Sequence, residues 1–304
     1  MATYAGTQFK DADDNIIEFT DPTARSKADA AALMGAATRH TANGIGDSIS
    51  NYVPLGRDLS VLYASQIGGS NPWTWLKTIA ASGKWDDYDI QIGDYLPVTL
   101  NDGSNTKMIY QIAAFDLYYG VGDTINGHHI TMVPAACYKD NILFNDTATN
   151  QGNETETTTW RASKLFKWCN EDFYGFLPSA VQGALKDLRV YQPIRYSAGN
   201  NLTDDNGGAW ISLGKVWVPS EIEVWGSIRR GSQQNGTTGI ACTDRQIPIF
   251  ANGRTVLRSR ALWWERVAAS GSASTVCYVH SGGISAAYSA TYTTIRALPC
   301  FHIG

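Results

Sequence analysis

The residues best suited to chemistry in this 304-residue chain are two adjacent histidines, two aspartates near them, two glutamates and five cysteines. His128-His129 opens an apolar run, HHITMV, that reads as a strand. Neighbouring strand residues point to opposite faces, so the two imidazoles do not readily share a metal. One is expected to pack inward and the other to meet solvent. Asp116 and Asp123 offer carboxylates for calcium, but the spacing of an EF-hand loop is absent. Glu221 and Glu223 read either as paired acids or as part of a helix cap. The order Ser220-Glu221-Ile222-Glu223 accounts for Glu223 as the acid of a capping box. Cys137, Cys169, Cys242, Cys277 and Cys300 are scattered without a CxxC pair, which excludes the common zinc knuckles and ribbons. Their odd number, and an opening stretch without a basic region followed by an apolar run, favour reduced thiols made in a cytoplasm. Cys277 and Cys300 sit in apolar, strand-like runs and are expected to be buried. There is no GxSxG elbow, no phosphate-binding loop and no GxGxxG after a strand. The expectation is a protein without catalytic residues, metal or cofactor.

The composition agrees with a binding protein. Hydrophobic residues make up 43% and charged residues 17%, a balance that suits a packed core and argues against disorder. Ten Trp and fifteen Tyr supply large rings that fill cores and also anchor recognition surfaces. The net charge of −4 comes with no basic stripe, so nucleic acid is not an expected partner. No apolar run approaches the length of a membrane span, and no membrane insertion is expected. The N-x-S/T matches at Asn145, Asn153, Asn201 and Asn235 read as loops rather than glycan sites.

The elements that must position these residues fall into three stretches. Residues 1–45 read as an extended arm followed by an Ala-rich helix at about 22–42, opened by Asp21-Pro22 and closed by Asn43-Gly44. Alanine favours helix but buries little area, so this helix is expected to dock on a partner or on copies of itself, a trimer first. Residues 46–70, rich in Gly, Ser and Asn, read as a linker. Residues 71–304 read as one α+β domain. A helix runs from Asn71-Pro72 to Gly83. Strands follow at 90–94, 108–119 and 128–133, a surface loop at 140–158, helices at 159–171 and 179–190, and a polar loop at 198–209. A strand at 215–219 precedes the cap at Ser220. The tail holds short strands at 247–250, 255–259, 262–267, 274–280, 284–290 and 292–302, with Ser281-Gly282-Gly283 as a hairpin turn.

Several segments together resemble a phage- and prophage-associated family of unknown function. They are Gly83-Lys84-Trp85-Asp86-Asp87 with Ile92-Gly93-Asp94-Tyr95, Tyr110 to Asp116, Gly122-Asp123 with His128-His129-Ile130, Val218 to Gly226, Pro248 to Ala251, and Trp263 to Val267. The resemblance spans about residues 75–304. It implies a C-type-lectin-like domain, a twisted antiparallel sheet with flanking helices, the fold also used by phage tropism proteins and by formylglycine-generating enzymes. The chain departs from the family where W-L-R-S and G-V-R-P are usual: it has Trp263-Trp264-Glu265-Arg266 and Thr294-Ile295-Arg296-Ala297. The resemblance further implies a virion protein that recognises a host cell-surface receptor, protein or glycan, and meets other virion proteins through its N-terminal region. The alternatives are a structural head or tail decoration protein and an oxidase like the formylglycine-generating enzymes.

Variable proteins of diversity-generating retroelements carry a mutable C-terminal lectin-like block. The block at 262–303 is similar in being rich in Ala, Ser, Thr and Tyr, residues reachable from adenine-containing codons. Tyrosine beside small residues also makes adaptable contact surfaces. The plain alternative is a Ser/Thr-rich sheet edge. The candidate contacts are Glu265, Ala269, Ser270, Ser272, Tyr278, His280, Tyr288, Tyr292 and Thr293. Strand alternation expects Glu265 with Val267 on one face and Trp264 with Arg266 on the other.

Overall fold

The chain divides between Tyr52 and Val53 into two units. The computed structural model describes residues 56–150, 159–193, 208–231, 243–251, 260–270 and 272–304, all in the second unit. The N-terminal arm, the Ala-rich helix, Cys242, the strand expected at 255–259 and the N-x-S/T matches at Asn153, Asn201 and Asn235 lie outside the described residues.

The second half of the expected linker is structured. Two short helices, α1 (Leu59–Leu62) and α2 (Ala64–Ile67), bury Leu59, Tyr63 and Ile67. Asp58 caps α1 by accepting from the Ser60 amide, and Gly68 closes α2 in the left-handed region. Helix α3 (Pro72–Ser82) begins and ends where expected. Asn71 accepts from the Trp73 amide, Pro72 takes the first turn, and Gly83 ends it at φ 70°. Its inner stripe is Trp73, Leu76, Ile79 and Ala80. Trp73 sets its ring edge against Tyr110 and Phe301, which fastens the helix to the main sheet.

That sheet has five antiparallel strands in the order β1-β2-β3-β10-β4. They are β1 (Tyr95–Thr99), β2 (Lys107–Phe115), β3 (Ile130–Pro134), β4 (Leu185–Lys186) and β10 (Phe301–Ile303). The last strand of the chain therefore lies inside the sheet, between β3 and β4. The strand expected at 90–94 is a turn. Gly93 takes φ 99°, and the Asp94 carboxylate accepts from the Gln91 amide and the Arg57 guanidinium. Pairing with β2 starts only at Tyr95.

Residues 159–171 are expected as one helix. They form α4 (Lys164–Trp168), a π turn at Cys169–Phe173 and α5 (Tyr174–Phe176). The helix expected at 179–190 is a single turn, α6 (Ser179–Gln182), followed by β4 and then β5 (Arg189–Pro193). Ser179 and Gln182 have the spacing of a capping box, but α6 has no side-chain cap bond and Gln182 donates to the carbonyls of Tyr174 and Leu177. β5 pairs with β6 (Gly208–Ser212) as a separate two-stranded sheet. Residues 215–219 contribute one bridge, Trp217 to Cys300, rather than a strand. Residues 248–250 form a 3-10 turn where a strand was expected.

The third sheet is antiparallel β7-β8-β9: β7 (Trp263–Ala268), β8 (Thr275–Val279) and β9 (Ser285–Ser289). It follows α7 (Glu221–Trp225), whose capping box is formed as expected between Ser220 and Glu223. The architecture is α+β with antiparallel sheets. No helix among the described residues is long and apolar enough to cross a membrane.

Candidate binding face on the C-terminal sheet

The β8–β9 hairpin turns where Gly282-Gly283 allow it, with Gly283 at φ 75° and the His280 amide donating to Ile284. The register sets Tyr278 opposite Ala286 and Val276 opposite Tyr288. Because side chains two apart share a face, Tyr278, Tyr288 and the β7 residue Trp264, paired with Tyr278, lie on one side. Tyr292, in the turn after β9, brings its ring to 4.0 Å from that of Tyr288. Tyr288 is 47% exposed, Tyr292 half-buried, and Tyr278 shows only an 8% edge beside them. The small residue Ala286 lies opposite Tyr278 on the same face, and the turn after β9 holds a Ser289–Thr291 hydroxyl pair 3.0 Å apart. Burial, with Tyr292 and Tyr288 nearby, raises the Tyr278 hydroxyl above its ordinary value, so it stays protonated and able to donate.

The other expected contacts are distributed around this core. Ser270 and Thr293 are exposed and Ser272 half-buried. Asn150 holds the β7–β8 turn by donating to the carbonyls of Ser272 and Thr275. His280 sits at the opposite end of β8, its ring 6.4 Å from that of Tyr278. Two expected contacts are corrected. Ala269 is buried in a bridge to Gly231. Glu265 is 0% exposed and cannot touch a ligand on the surface. Every residue of β7 is buried, so strand alternation separates two covered faces rather than an inside and an outside.

Those two faces of β7 hold different charge clusters. On one, Arg266 donates through Nη2 to Glu223 Oε1 and Asp244 Oδ1, both at 2.9 Å, and through Nη1 to Glu223 Oε2 and the Val218 carbonyl. Tyr118 donates to Glu223, and Gln192 to Asp244 at 2.8 Å. Burial opposes the Arg266 charge, but Asp244 and Glu223 outweigh it and hold the guanidinium protonated. On the other face, Glu221, Glu265 and Cys277 place ligand atoms within 4.8 Å of one another. Glu221 accepts from the amides of Arg229, Arg230 and Gly231 and from the Ser285 hydroxyl. Glu265 accepts from Trp225 Nε1 at 2.9 Å, and its second oxygen is buried without a partner. Burial, with Glu221 adding to it, pushes the Glu265 carboxyl well up. Burial likewise pushes up the Cys277 thiol.

Glu221 and Glu223 are thus not a pair. Two residues apart on a helical turn, they are carried about 200° around the axis and serve different clusters. The sequence flags Glu223 through its cap. Nothing local flags Glu221, whose amide partners come from the loop after α7. The four described cysteines, Cys137, Cys169, Cys277 and Cys300, are all free and buried.

The histidine pair splits as expected. His129 is enclosed: its Nδ1–H donates to the Gly127 carbonyl, and Nε2 accepts from the Tyr118 amide. His128 is half-buried, with Nδ1 2.7 Å from Asp116 Oδ2 and its ring stacked 4.2 Å from Tyr119. Asp116 also accepts from the His129 amide, whereas Asp123 pairs with Arg189, so the two aspartates do not converge on one ion.

No curated protein matches the chain, and no solved structure does either. A family model described as a domain of unknown function, DUF6273, matches residues 137–304, which take in the last seven strands, α7 and all three tyrosines of the exposed face. The segments of resemblance between Gly83 and Ile130 precede the matched stretch. More than half of the chain fits that model, and the protein belongs to the DUF6273 family.

Proposed function

We propose that this chain is a binding protein of a bacteriophage virion, with a C-type-lectin-like domain that offers the outer face of β8–β9 to a host cell-surface receptor. The observation that carries the reading is the Tyr288–Tyr292 pair, rings 4.0 Å apart over the edge of Tyr278, on a sheet whose other face is closed. Tyrosine gives a large, rigid contact at small entropic cost, and the small Ala286, opposite Tyr278, leaves room beside the rings. Tyr288 keeps 47% exposure, and among the described residues Tyr119 is the one other aromatic side chain that is exposed. The antiparallel sheets and flanking helices are compatible with the lectin-like architecture, and the chain's last strand lies inside the main sheet between β3 and β4.

The reading as a binding protein rather than an oxidase is supported by the cysteines. Cys277 and Cys300 are fully enclosed, unlike the accessible, low-pKa thiols of redox catalysts. The test is Tyr288→Ala combined with Tyr292→Ala, measured for melting temperature and for binding to bacterial cell envelopes. A surface site loses about 30-fold or more in affinity, the effect of removing an interface anchor, and melts within a few degrees of the native chain. A collapse in melting temperature would assign both rings to the core and remove the site.

A further inference from the structure

The geometry points to a buried zinc site formed by Glu221, Glu265 and Cys277, which ties α7, β7 and β8 together beneath the binding face. Their ligand atoms lie within 4.8 Å of one another, and all three residues are buried. A tetrahedral zinc with Zn–S about 2.3 Å and Zn–O about 2.0–2.2 Å needs ligand atoms about 3.4–3.7 Å apart. A shift of about an ångström in side chains of this length supplies that.

One observation beyond proximity points to a ligand. It is Glu265 Oε2, buried without a hydrogen-bond partner among the described residues although its carboxyl is anchored at Oε1 by Trp225. A fully buried polar atom left unsatisfied is uncommon and calls for a partner. The loop around the cluster is closely packed: a Cβ at Gly231 would stand 2.8 Å from Val267 Cγ1 and 2.9 Å from Glu221 Oε2, so glycine is what lets the Gly231 amide reach Glu221. Glu221 is already oriented by the amides of residues 229–231. The Ser285 hydroxyl on its Oε1 is the one donor that can rotate away to free a lone pair. A water completes the fourth position.

The chemistry selects the ion. A thiolate among carboxylates suits zinc and disfavours calcium and magnesium, which take oxygen ligands. Charge balances as well: binding of Zn²⁺ releases the Cys277 thiol proton and the Glu265 carboxyl proton. The site then carries three negative groups and a dication, the same net charge as one Glu221 carboxylate beside two neutral groups. Because the ligands are enclosed, the ion loads during folding.

The test uses the full chain produced in zinc-supplemented medium. The expected result is one zinc per chain after extensive dialysis. Refolding with Co²⁺ should give a thiolate-to-cobalt charge-transfer band. Cys277→Ser should abolish that band, and Glu265→Gln should weaken zinc binding by more than the about 10–100-fold that loss of an outer-shell partner costs. Retention of the band in Cys277→Ser would assign it to another cysteine and overturn the site. So would a native chain that retains no zinc and gives no cobalt band, in which case Glu265 is simply a buried neutral acid. If Cys277→Ser does not fold, Glu265→Gln decides: unchanged zinc affinity overturns the proposal.

Discussion

Arg266 and Glu265 are neighbours on β7, both wholly buried, and their two faces treat charge in opposite ways. On the Arg266 face a cation is built in, and Glu223 and Asp244 are gathered around it with Tyr118 and Gln192 completing the bonds. On the Glu265 face two carboxyls and a thiol meet, and among the described residues no salt bridge reaches them. Arg229 and Arg230 are adjacent, but Arg229 lies over the Trp225 ring and Arg230 donates its Nε–H to the Ser285 carbonyl. One face balances its buried cation with carboxylates of the chain, although Arg266 Nε has no hydrogen-bond partner among the described residues. The other is completed by a proton or by an ion. The exposed tyrosines lie on the side of the sheet that carries Trp264.

The largest effect expected from breaking this contrast is Arg266→Met. It leaves Glu223 and Asp244 buried without their cation and should cost about 3–5 kcal/mol, read as a drop in the denaturation midpoint. A loss under about 1 kcal/mol would mean that the ionic cluster is incidental to stability.

Acid should break the same region next. Trp217 has the His302 ring stacked 4.9 Å away and the Arg266 guanidinium 5.6 Å from its own ring, and His129 meets His302 edge-on at 5.2 Å. Burial pushes the His129 imidazole down to about 4 from its ordinary 6.5, and burial with His129 and Arg266 nearby lowers His302 well below that ordinary value. Folding therefore favours the neutral rings, and the unfolded chain takes up protons first. The stability this contributes is complete above about pH 6.5 and is lost as pH falls towards about 4. The slope is about 1.4 kcal/mol per pH unit for each histidine. Urea midpoints at pH 7, 6 and 5 measure it, and a flat profile would contradict the placement of both rings.

Smaller effects sharpen the comparison. Tyr118→Phe removes one donor from Glu223 and should cost about 1–2 kcal/mol. Glu265→Gln, measured in chelator, keeps the acceptor for Trp225 and gives up no ion pair, so stability should move by less than about 1 kcal/mol. Equal losses from these two substitutions would erase the distinction between the faces.

Local chemistry was legible in the sequence. Asn71-Pro72 and Gly83 bounded α3, Ser220 and Glu223 formed their box, and Gly282-Gly283 turned the β8–β9 hairpin, because each depends on residues a few positions apart. Elements decided by distant partners were not. Residues 184–192 contain no Gly or Pro, yet β4 pairs with the chain's last strand and β5 with β6. Glu265 was assigned to a surface because a period of two reveals faces and not what covers them. The Glu221–Glu265–Cys277 group joins residues up to 56 positions apart (221 to 277), a convergence that only tertiary structure produces. Strand alternation expects Tyr288 and Tyr292 on one face, but β9 ends at Ser289 and the turn after it, closed by the Tyr292 amide on the Ser289 carbonyl, is what brings the rings to 4.0 Å.

The most direct test of the central claim compares two exposed aromatic positions. Tyr119, 49% exposed on its stack with His128, matches Tyr288 in size and exposure but lies outside the C-terminal sheet. Binding to bacterial cell envelopes is measured for the native chain, for Tyr288→Ala with Tyr292→Ala, and for Tyr119→Ala, with melting temperatures alongside. The account predicts loss of binding in the double variant alone, with all three proteins melting within a few degrees of one another. Equal binding by the native chain and the double variant, or loss of binding in Tyr119→Ala instead, would contradict it.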